Sequence, residues 1–373
     1  MEREEDERIS IHMDLVIEIL SRMPVKSIMK FKCLSKEFSK IIHSRNFVDS
    51  CLSRPSSRSR LLFYFHCYEI NTLVFFSAPH RSTCSIIPTR QEMVFRGGVD
   101  VSFMCAPVRG LMLCTVGENQ HVICNPATRQ NLSLPQNNML WERDNFTKLI
   151  LGYDPIFDQY KVLSMCGNTN VGPRPYQFFV MTVGKDGNMW RKIQGMPPHL
   201  RIVKCCHATG ICINGVLYFK AESNTPSHHG PGTTVHVVSF DLNTEMFSLV
   251  KSNDRLSWFS KLIDFQGKLA FISHVNKDCT AEFWILENEW SSKVFHLPWT
   301  QSYTRDYKRI SGSVMGIHDG DIVFLPKYKL GSTWHLSLEK KTVRKVIYEI
   351  PSTKPYRSLV FFFGNHVDTT VSL

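Results

Sequence analysis

Side chains that could carry chemistry are scarce in this sequence, and the nearest approach to a metal site is Cys205-Cys206-His207. Successive residues of a strand point to opposite faces of a sheet, so three adjacent side chains would chelate a metal poorly, and a strand edge is the simpler interpretation. None of the 12 cysteines forms a C-x-x-C pair of the kind that binds zinc. We interpret them as small buried hydrophobic residues and expect neither a metal nor another cofactor.

Candidate catalytic carboxylates have a structural explanation. Asp154, Asp241 and Asp264 lie in or beside turn signals, where an aspartate side chain hydrogen-bonds nearby backbone amides. The sequence also lacks a P-loop, a G-x-S-x-G elbow and the glycine pattern of dinucleotide-binding folds. We therefore predict a protein that binds other molecules and is not itself an enzyme.

Two segments have the composition of binding loops. Residues 299–309, WTQSYTRDYKR, interleave aromatic and basic side chains, namely Trp299, Tyr303, Arg305, Tyr307, Lys308 and Arg309. Stacking and bidentate pairing would suit an acidic or phosphorylated peptide, and also single-stranded nucleic acid. The alternative is a solvated loop whose aromatic side chains pack on the scaffold. Residues 222–233 are rich in Gly, Pro and Ser, as in connections that carry binding on rigid β scaffolds.

The net charge of +11 is uneven, with ten Lys or Arg residues against two acidic ones between Arg22 and Arg60. Such a surface attracts nucleic acid, membranes or acidic proteins by the same long-range field, so charge alone does not choose among them. No apolar run approaches the ~18 residues that span a bilayer. The N-terminal sequence MEREEDER has no apolar region of a secretory signal. We therefore expect a protein of the cytosol or nucleus that does not enter membranes.

The segment from Met13 to Ile42, which contains much of this basic charge, is predicted to be helical, unlike the rest of the chain. Leu15, Ile19 and Met23 recur at helical spacing, Pro24 ends this helix and starts a second, and Ser35 is suited to cap a third. Three helices of two or three turns bury little apolar surface alone. We therefore interpret the segment as half of an interface.

After the segment SRPSSRSR, residues 53–60, the chain has a weak internal repeat. A glycine followed by alternating apolar residues occurs at Gly110, Gly215, Gly267 and Gly320, and the last three are 52 and 53 residues apart. A period near 50 residues with several strands per unit is kelch-like and predicts a β-propeller. Residues 61–373 would accommodate about six blades of that length.

Residues 11–47 closely resemble a plant-type F-box. The matching positions agree with the family pattern in order and spacing, and they are Asp14-Leu15, Glu18-Ile19-Leu20, Arg22, Pro24-Val25-Lys26-Ser27, Phe31, Cys33 and Ser35-Lys36. His12 and Phe38 stand where the family has proline and tryptophan. The family binds a Skp-type adaptor protein, and we expect each replacement to weaken that binding by about 1 kcal/mol.

The remainder resembles the plant F-box-associated domain through phrases such as VICNPATRQNLSLP, LGYDPIFDQYKVL and EFWILENEWSSK. The two resemblances suggest an acidic tail at 1–10, a three-helix F-box at 11–52, a linker at 53–60 and a mainly β, propeller-like substrate-recognition domain at 61–373. They cover nearly the whole chain.

The F-box resemblance implies a substrate receptor of a ubiquitin ligase. An F-box binds a Skp-type adaptor, which links it to a cullin scaffold carrying a RING subunit, while the rest of the chain selects an as yet unidentified protein for ubiquitination. By position, the residues expected to contact the adaptor or support that surface are Leu15, Ile19, Leu20, Pro24, Val25, Phe31, Leu34 and Phe38. The competing hypothesis is a basic propeller that binds nucleic acid or acts outside a ligase, and we consider nucleic acid the less favoured partner.

Overall fold

A computed structural model describes residues 12–53, 59–67, 72–79, 86–96, 105–116, 120–136, 145–168, 176–184, 188–202, 210–223, 233–257, 260–273, 280–296, 314–318, 321–324, 332–337, 339–340, 342–349, 360–371 and 373. Within these residues the chain begins with four α-helices and continues with β-strands alone. A mainly β protein with a helical N-terminal piece was predicted, and this prediction is confirmed. No described helix combines the length and the apolar character that crossing a membrane requires.

The helices are α1 (Met13–Arg22), α2 (Val25–Phe31), α3 (Lys36–His43) and α4 (Arg45–Leu52). The Ser35 hydroxyl accepts a hydrogen bond from the Phe38 amide at 3.1 Å, which caps α3 as predicted. The His12 side chain takes the corresponding place before α1 and accepts from the Asp14 amide at 3.4 Å. The sequence predicted three helices, and α4 is an addition. It begins after Ser44, whose hydroxyl accepts from the Phe47 amide at 3.3 Å.

The helices share a small core. Its buried members are Leu20, Ile28, Ile42, Phe47 and Cys51. Phe47 and Cys51 come from α4, so the fourth helix completes the packing that the other three leave open. Helices of 7 to 10 residues are too short to be stable without such contacts.

The strands have the following bounds. They are β1 Ser59–Cys67, β2 Thr72–Pro79, β3 Ile86–Pro88, β4 Arg90–Arg96, β5 Met112–Val116, β6 Gln120–Asn125, β7 Gln130–Ser133, β8 Asn145–Asp154, β9 Gln159–Asn168, β10 Gln177–Thr182, β11 Arg191–Ile193, β12 Leu200–Ile202, β13 Ile211–Ile213, β14 Val216–Ser223, β15 Thr234–Asp241, β16 Phe247–Leu249, β17 Lys261–Phe265, β18 Lys268–Ile272, β19 Thr280–Leu286, β20 Trp290–His296, β21 Val314–His318, β22 Asp321–Phe324, β23 Ser332–Ser337, β24 Val343–Glu349 and β25 Val360–Val367.

In the described part of the chain these strands form six sheets, one for each propeller blade. The first blade is β25-β1-β2-β4, the second β5-β6-β7 and the third β8 to β11. The fourth is β12 to β16, the fifth β17 to β20 and the sixth β21 to β24, with β3 added at its outer edge. The predicted number of about six blades is confirmed.

The hydrophobic core lies between the blades and makes the ring continuous. Six clusters of buried residues each combine side chains from two neighbouring sheets. Representative pairs within the clusters are Tyr64 with Met112, Leu113 with Val162, Val180 with Phe219, Val237 with Phe271, Ile285 with Ile322, and Val346 with Phe63. The last cluster joins the sixth blade to the first, so every blade is packed on both sides.

The glycine repeat marks the first hairpin turn of a blade at its three described members, and Gly320 lies outside the described residues. Gly110, Gly215 and Gly267 have φ values of 83°, 83° and 79°, and the residue before each also has a positive φ. Two consecutive positive φ values are typical of the type I′ turn, whose twist matches that of antiparallel strands. The repeat therefore follows from turn geometry.

The two ends of the propeller meet in the first blade. Strand β25 pairs antiparallel with β1, placing Val367 opposite Ser59 and Val360 opposite Phe65. This pairing removes two exposed strand edges. Strand β3 adds a second link, because it runs parallel to β24 and places Ile86 opposite Ile347.

Candidate functional site

The eight residues predicted to serve adaptor binding fall into two groups in the structure. Leu15, Ile19 and Leu34 have 57%, 56% and 68% of their surface exposed, and Pro24 is exposed as well. Leu20 and Val25 are buried. Phe31 and Phe38 are partly buried and contact each other edge to face, with ring centroids 5.8 Å apart. We infer that the buried and partly buried residues support the helices, and that the exposed residues are available to a partner.

The exposed apolar side chains are unusual for so small a unit. Leu15 and Ile19 lie one helical turn apart on α1, so they occupy the same face. Met13, which the sequence interpretation did not select, is also exposed on this helix. Exposed apolar groups of this kind indicate a surface for protein binding.

Basic side chains are also exposed on the helical unit. Lys30, Lys36 and Lys40 are exposed on α2 and α3. Arg22 is held by Glu18, with 2.6 Å between a guanidinium nitrogen and a carboxylate oxygen. The helical unit therefore exposes both apolar and positively charged side chains, which suits an acidic protein partner.

Other residues of the helical unit contact the propeller, and we call this region the junction. It contains an ion pair of Lys26 with Glu92 at 3.6 Å, a hydrogen bond from Arg45 to the Pro155 carbonyl at 2.7 Å and an ion pair of Asp49 with Arg109. It also contains a hydrogen bond from the Thr370 hydroxyl to the Ile42 carbonyl at 3.2 Å. The four helical residues in these contacts are absent from the predicted adaptor set.

Arg109 owes its position at the junction to a turn. It precedes Gly110 with φ 50°, the place that Asn214 and Gln266 occupy in the fourth and fifth blades. Its guanidinium also lies 4.1 Å from the centroid of the Tyr153 ring. Burial alone would lower the pKa of Arg109, but the hydrogen bond with Asp49 and the nearby tyrosines outweigh it and raise the pKa. The arginine therefore stays charged.

A second group of charges lies where the C-terminal segment leaves the first blade. Arg90 contacts Glu92 at 2.5 Å and Asp368 at 3.2 Å. Burial alone would raise the pKa of Asp368, but hydrogen bonding and charge from His366, with the charges of Arg60 and Arg90, hold that pKa below its usual value. Lys26 extends this group into the helical unit through Glu92.

The opposite end of the propeller is formed by the other strand ends. Pro155, Gly215 and Gly267 lie in first hairpin turns on the junction side, where a Cβ on Gly215 would come within 2.8 Å of Pro155 and Asn214 donates to the Gly267 carbonyl. Antiparallel pairing then places Ser223 and Thr234 at the far end of the fourth blade. It likewise places Thr280 and His296 at the far end of the fifth.

Both candidate binding loops connect strand ends on this far face. Residues 224–232 join β14 to β15, and residues 297–313 join β20 to β21. Trp299, Tyr303, Arg305, Tyr307, Lys308 and Arg309 all lie outside the described residues. Their role in binding stays a prediction.

The residues considered for catalysis or metal binding have other roles where the structure describes them. Asp154, Asp241 and Asp264 accept hydrogen bonds from the amides of Ile156, Asn243 and Gly267 at 3.0, 2.9 and 2.9 Å, so their predicted turn role is confirmed. Burial raises the pKa of the Cys105 thiol to about 12, which makes it a poor nucleophile at neutral pH. Cys205, Cys206 and His207 lie outside the described residues.

Comparison with known families accounts for both parts of the chain. The F-box domain family matches residues 10–50, and the family described as F-box associated beta propeller domain matches residues 60–367. F-box protein DOR from Arabidopsis thaliana is 33% identical over 363 residues, covering 90% of this chain and 87% of the relative. F-box protein At1g30790 from the same organism is 30% identical over 411 residues and 99% of each chain. The propeller prediction is thereby supported, whereas the kelch-like description is not confirmed.

Proposed function

Because this chain belongs to the F-box proteins with an F-box-associated β-propeller, we propose that it is the substrate-recognition subunit of a Skp–cullin–F-box ubiquitin ligase. Its F-box would bind a Skp-type adaptor, and through the adaptor a cullin and a RING subunit. The propeller would capture a protein substrate. The chain then contributes binding and placement, while other subunits supply the chemistry of ubiquitin transfer, in keeping with the generally non-catalytic members of this family.

The exposed apolar face of α1 carries this proposal. Leu15 and Ile19 are more than half exposed, and burying such a side chain on a partner would contribute about 1.5–3 kcal/mol each. Leu34 adds a third exposed apolar group at the turn before α3. The charge of the neighbouring lysines would accelerate association with an acidic adaptor.

The arrangement of the two sides supports simultaneous binding of adaptor and substrate. The junction uses Lys26, Ile42, Arg45 and Asp49, so the propeller leaves the proposed adaptor face uncovered. The candidate substrate loops connect strand ends on the far face of the ring. We retain the division into an F-box at 11–52, a linker at 53–60 and a substrate domain at 61–373 as part of this proposal.

The test is co-purification of the full chain with a Skp-type adaptor, using Ile19→Asp against a matched control. Val294→Asp is the control because Val294 is 58% exposed, like Ile19, but lies on β20 of the propeller. We expect Ile19→Asp to reduce adaptor recovery at least tenfold and Val294→Asp to leave it unchanged. Equal recovery with wild type and Ile19→Asp would overturn the proposal. Retention on nucleic acid that falls steeply with salt would instead favour the basic-propeller hypothesis.

A further inference from the structure

The C-terminal segment Val367–Val371 leaves the first blade and touches two other parts of the molecule. Within it, Thr369 and Thr370 are fully buried. Threonine side chains are mostly exposed to water in folded proteins, where their hydroxyl groups are well solvated. Complete burial therefore requires specific partners.

The second blade supplies one set of partners. The Asn125 side-chain amide donates to the Thr369 carbonyl at 3.1 Å and to the Val371 carbonyl at 2.9 Å. Gly110 leaves room for the segment, because a Cβ there would come within 2.4 Å of Thr369 and 2.5 Å of the Val367 carbonyl oxygen. The segment is thus fixed against a blade that it does not belong to.

The helical unit supplies the other partner. The Thr370 hydroxyl donates to the Ile42 carbonyl at 3.2 Å. This carbonyl lies in the last turn of α3, where helical carbonyls have no partner inside the helix. Beside it, Arg109 of the Gly110 turn pairs with Asp49 of α4. The same short region therefore meets the closing blade, the second blade and the α3–α4 corner.

We propose that Val367–Val371 acts as a latch that joins the F-box and the closed propeller into one cooperative unit. When the latch is in place, Asn125 fixes it from the propeller side and Thr370 fixes the helices to it. When it leaves, the α3–α4 corner loses its contact with Thr370 at the same moment as the first and second blades lose their shared segment. This inference concerns how the two domains are joined, and it does not depend on which adaptor or substrate they bind.

Two nearly isosteric substitutions test the two contacts of the latch individually, the one with the second blade and the one with the helices. Asn125→Asp keeps the oxygen that accepts from the Ala127 and Thr128 amides, but it replaces the donor to the latch with a second oxygen facing two carbonyls. Thr370→Val removes only the hydroxyl that bonds Ile42. Asp241→Asn is the matched control, since Asp241 accepts from the Asn243 and Thr244 amides at the corresponding turn of the fourth blade, away from the latch.

The measurement is native-state hydrogen exchange of the full chain, followed by mass spectrometry of peptides from α4, from β25 with β1, and from β19 with β20. For Thr370→Val we expect the α4 amides to exchange about fivefold faster, as for one lost hydrogen bond, with β25 and β1 unchanged. For Asn125→Asp we expect faster exchange in both α4 and the β25–β1 pair. Asp241→Asn and the β19–β20 peptides should match wild type.

The proposal is overturned if Asn125→Asp accelerates exchange in the β25–β1 pair while α4 keeps its wild-type rate, because the helices would then be held independently of the latch. Unchanged α4 exchange in Thr370→Val would also overturn it. A wild-type chain that fails to bind a Skp-type adaptor would remove the proposed function and leave these exchange results to decide the latch. The two hypotheses therefore fail separately.

Discussion

The F-box helices and the propeller differ in how completely they bury their apolar side chains. In the propeller, six clusters between neighbouring sheets bury large side chains such as Phe179, Phe240 and Phe271. The helices bury a single small cluster and leave Leu15 and Ile19 more than half exposed. One domain closes on itself, and the other presents part of its apolar surface to a partner.

The difference follows from size and connectivity. In a ring where every blade packs on two neighbours, no sheet face is left free. The pairing of β25 with β1 also leaves no unpaired strand edge where the two ends of the propeller meet. Four helices of 7 to 10 residues have too little interior for all their apolar groups. The F-box therefore contacts the propeller through hydrogen bonds and ion pairs, and it leaves part of its apolar surface exposed.

The largest effect should come from breaking the closure of the ring. A chain that ends at residue 358 lacks β25, so β1 keeps only its pairing with β2 and the first blade exposes a strand edge. We expect the truncated chain to aggregate on expression, which sedimentation of the lysate and gel filtration would show. A soluble truncation that melts cooperatively would mean that the propeller does not depend on its closing pair.

A core substitution in the F-box should rank second. Leu20 is 3% exposed, so Leu20→Asp would bury an unpaired carboxylate and cost about 3–5 kcal/mol of the free energy of unfolding of the helices. Ile19→Asp, at the neighbouring exposed position, should change that free energy by less than about 0.5 kcal/mol. Helical circular dichroism during urea unfolding measures both.

This pair of neighbours sharpens the comparison between core and open surface. If both variants lose adaptor binding but only Leu20→Asp loses stability, then Ile19 serves adaptor binding and Leu20 serves the folding of the helices. Equal loss of helix stability in both variants would contradict the assignment of Ile19 to an open surface.

The stability of the propeller should have a pH-dependent component that comes from His121. Burial lowers the pKa of His121 to about 4, and the ring lies 3.0 Å from the Thr115 hydroxyl. Between pH 6.5 and 4 the unfolded chain therefore binds more protons at this site than the folded one, so stability falls as the pH falls through this window. The loss attributable to His121 should be at most about 3 kcal/mol.

His121→Gln provides the control, because glutamine can retain a polar contact with Thr115 but does not titrate. Urea unfolding at pH 7 and pH 4.5 should show a smaller loss of propeller stability in the variant than in wild type. Identical pH dependence in the two proteins would exclude His121 as a source of acid sensitivity.

The sequence predicted the fold well because its signals are local. The glycine repeat reports paired positive φ values in type I′ turns, as at Asn214-Gly215, and the short apolar runs report strands. The first and second helices of the F-box were read from the spacing of apolar residues and from Pro24. Helix α4 was missed although Ser44 supplies its cap.

The junction could not be read from the sequence because its contacts join distant residues. Asp49 and Arg109 are 60 positions apart, and Thr370 and Ile42 are 328 apart. One signal was available at Arg109, since an arginine replaces the residue type that a type I′ turn favours there. The split of the adaptor set into exposed Ile19 and buried Leu20 likewise required the packing of α4, which the helical pattern of α1 does not contain.

The smallest expected effect concerns the far face of the propeller. There we propose that binding uses polar and charged side chains, in contrast to the apolar surface of the F-box. If residues 299–309 bind an acidic or phosphorylated peptide, Arg305 would act through paired hydrogen bonds that lysine cannot reproduce. Arg305→Lys should then lower substrate capture about fivefold, the equivalent of one charge-assisted hydrogen bond, with adaptor binding and melting temperature unchanged. Tyr303→Ala and Tyr307→Ala should also weaken capture. Proximity labelling in cells with the ligase blocked measures capture, and adaptor co-purification with thermal melting supplies the controls. Equal capture by Arg305→Lys and wild type, or a loss of melting temperature that accounts for every defect, would leave these residues as a solvated loop packed on a blade.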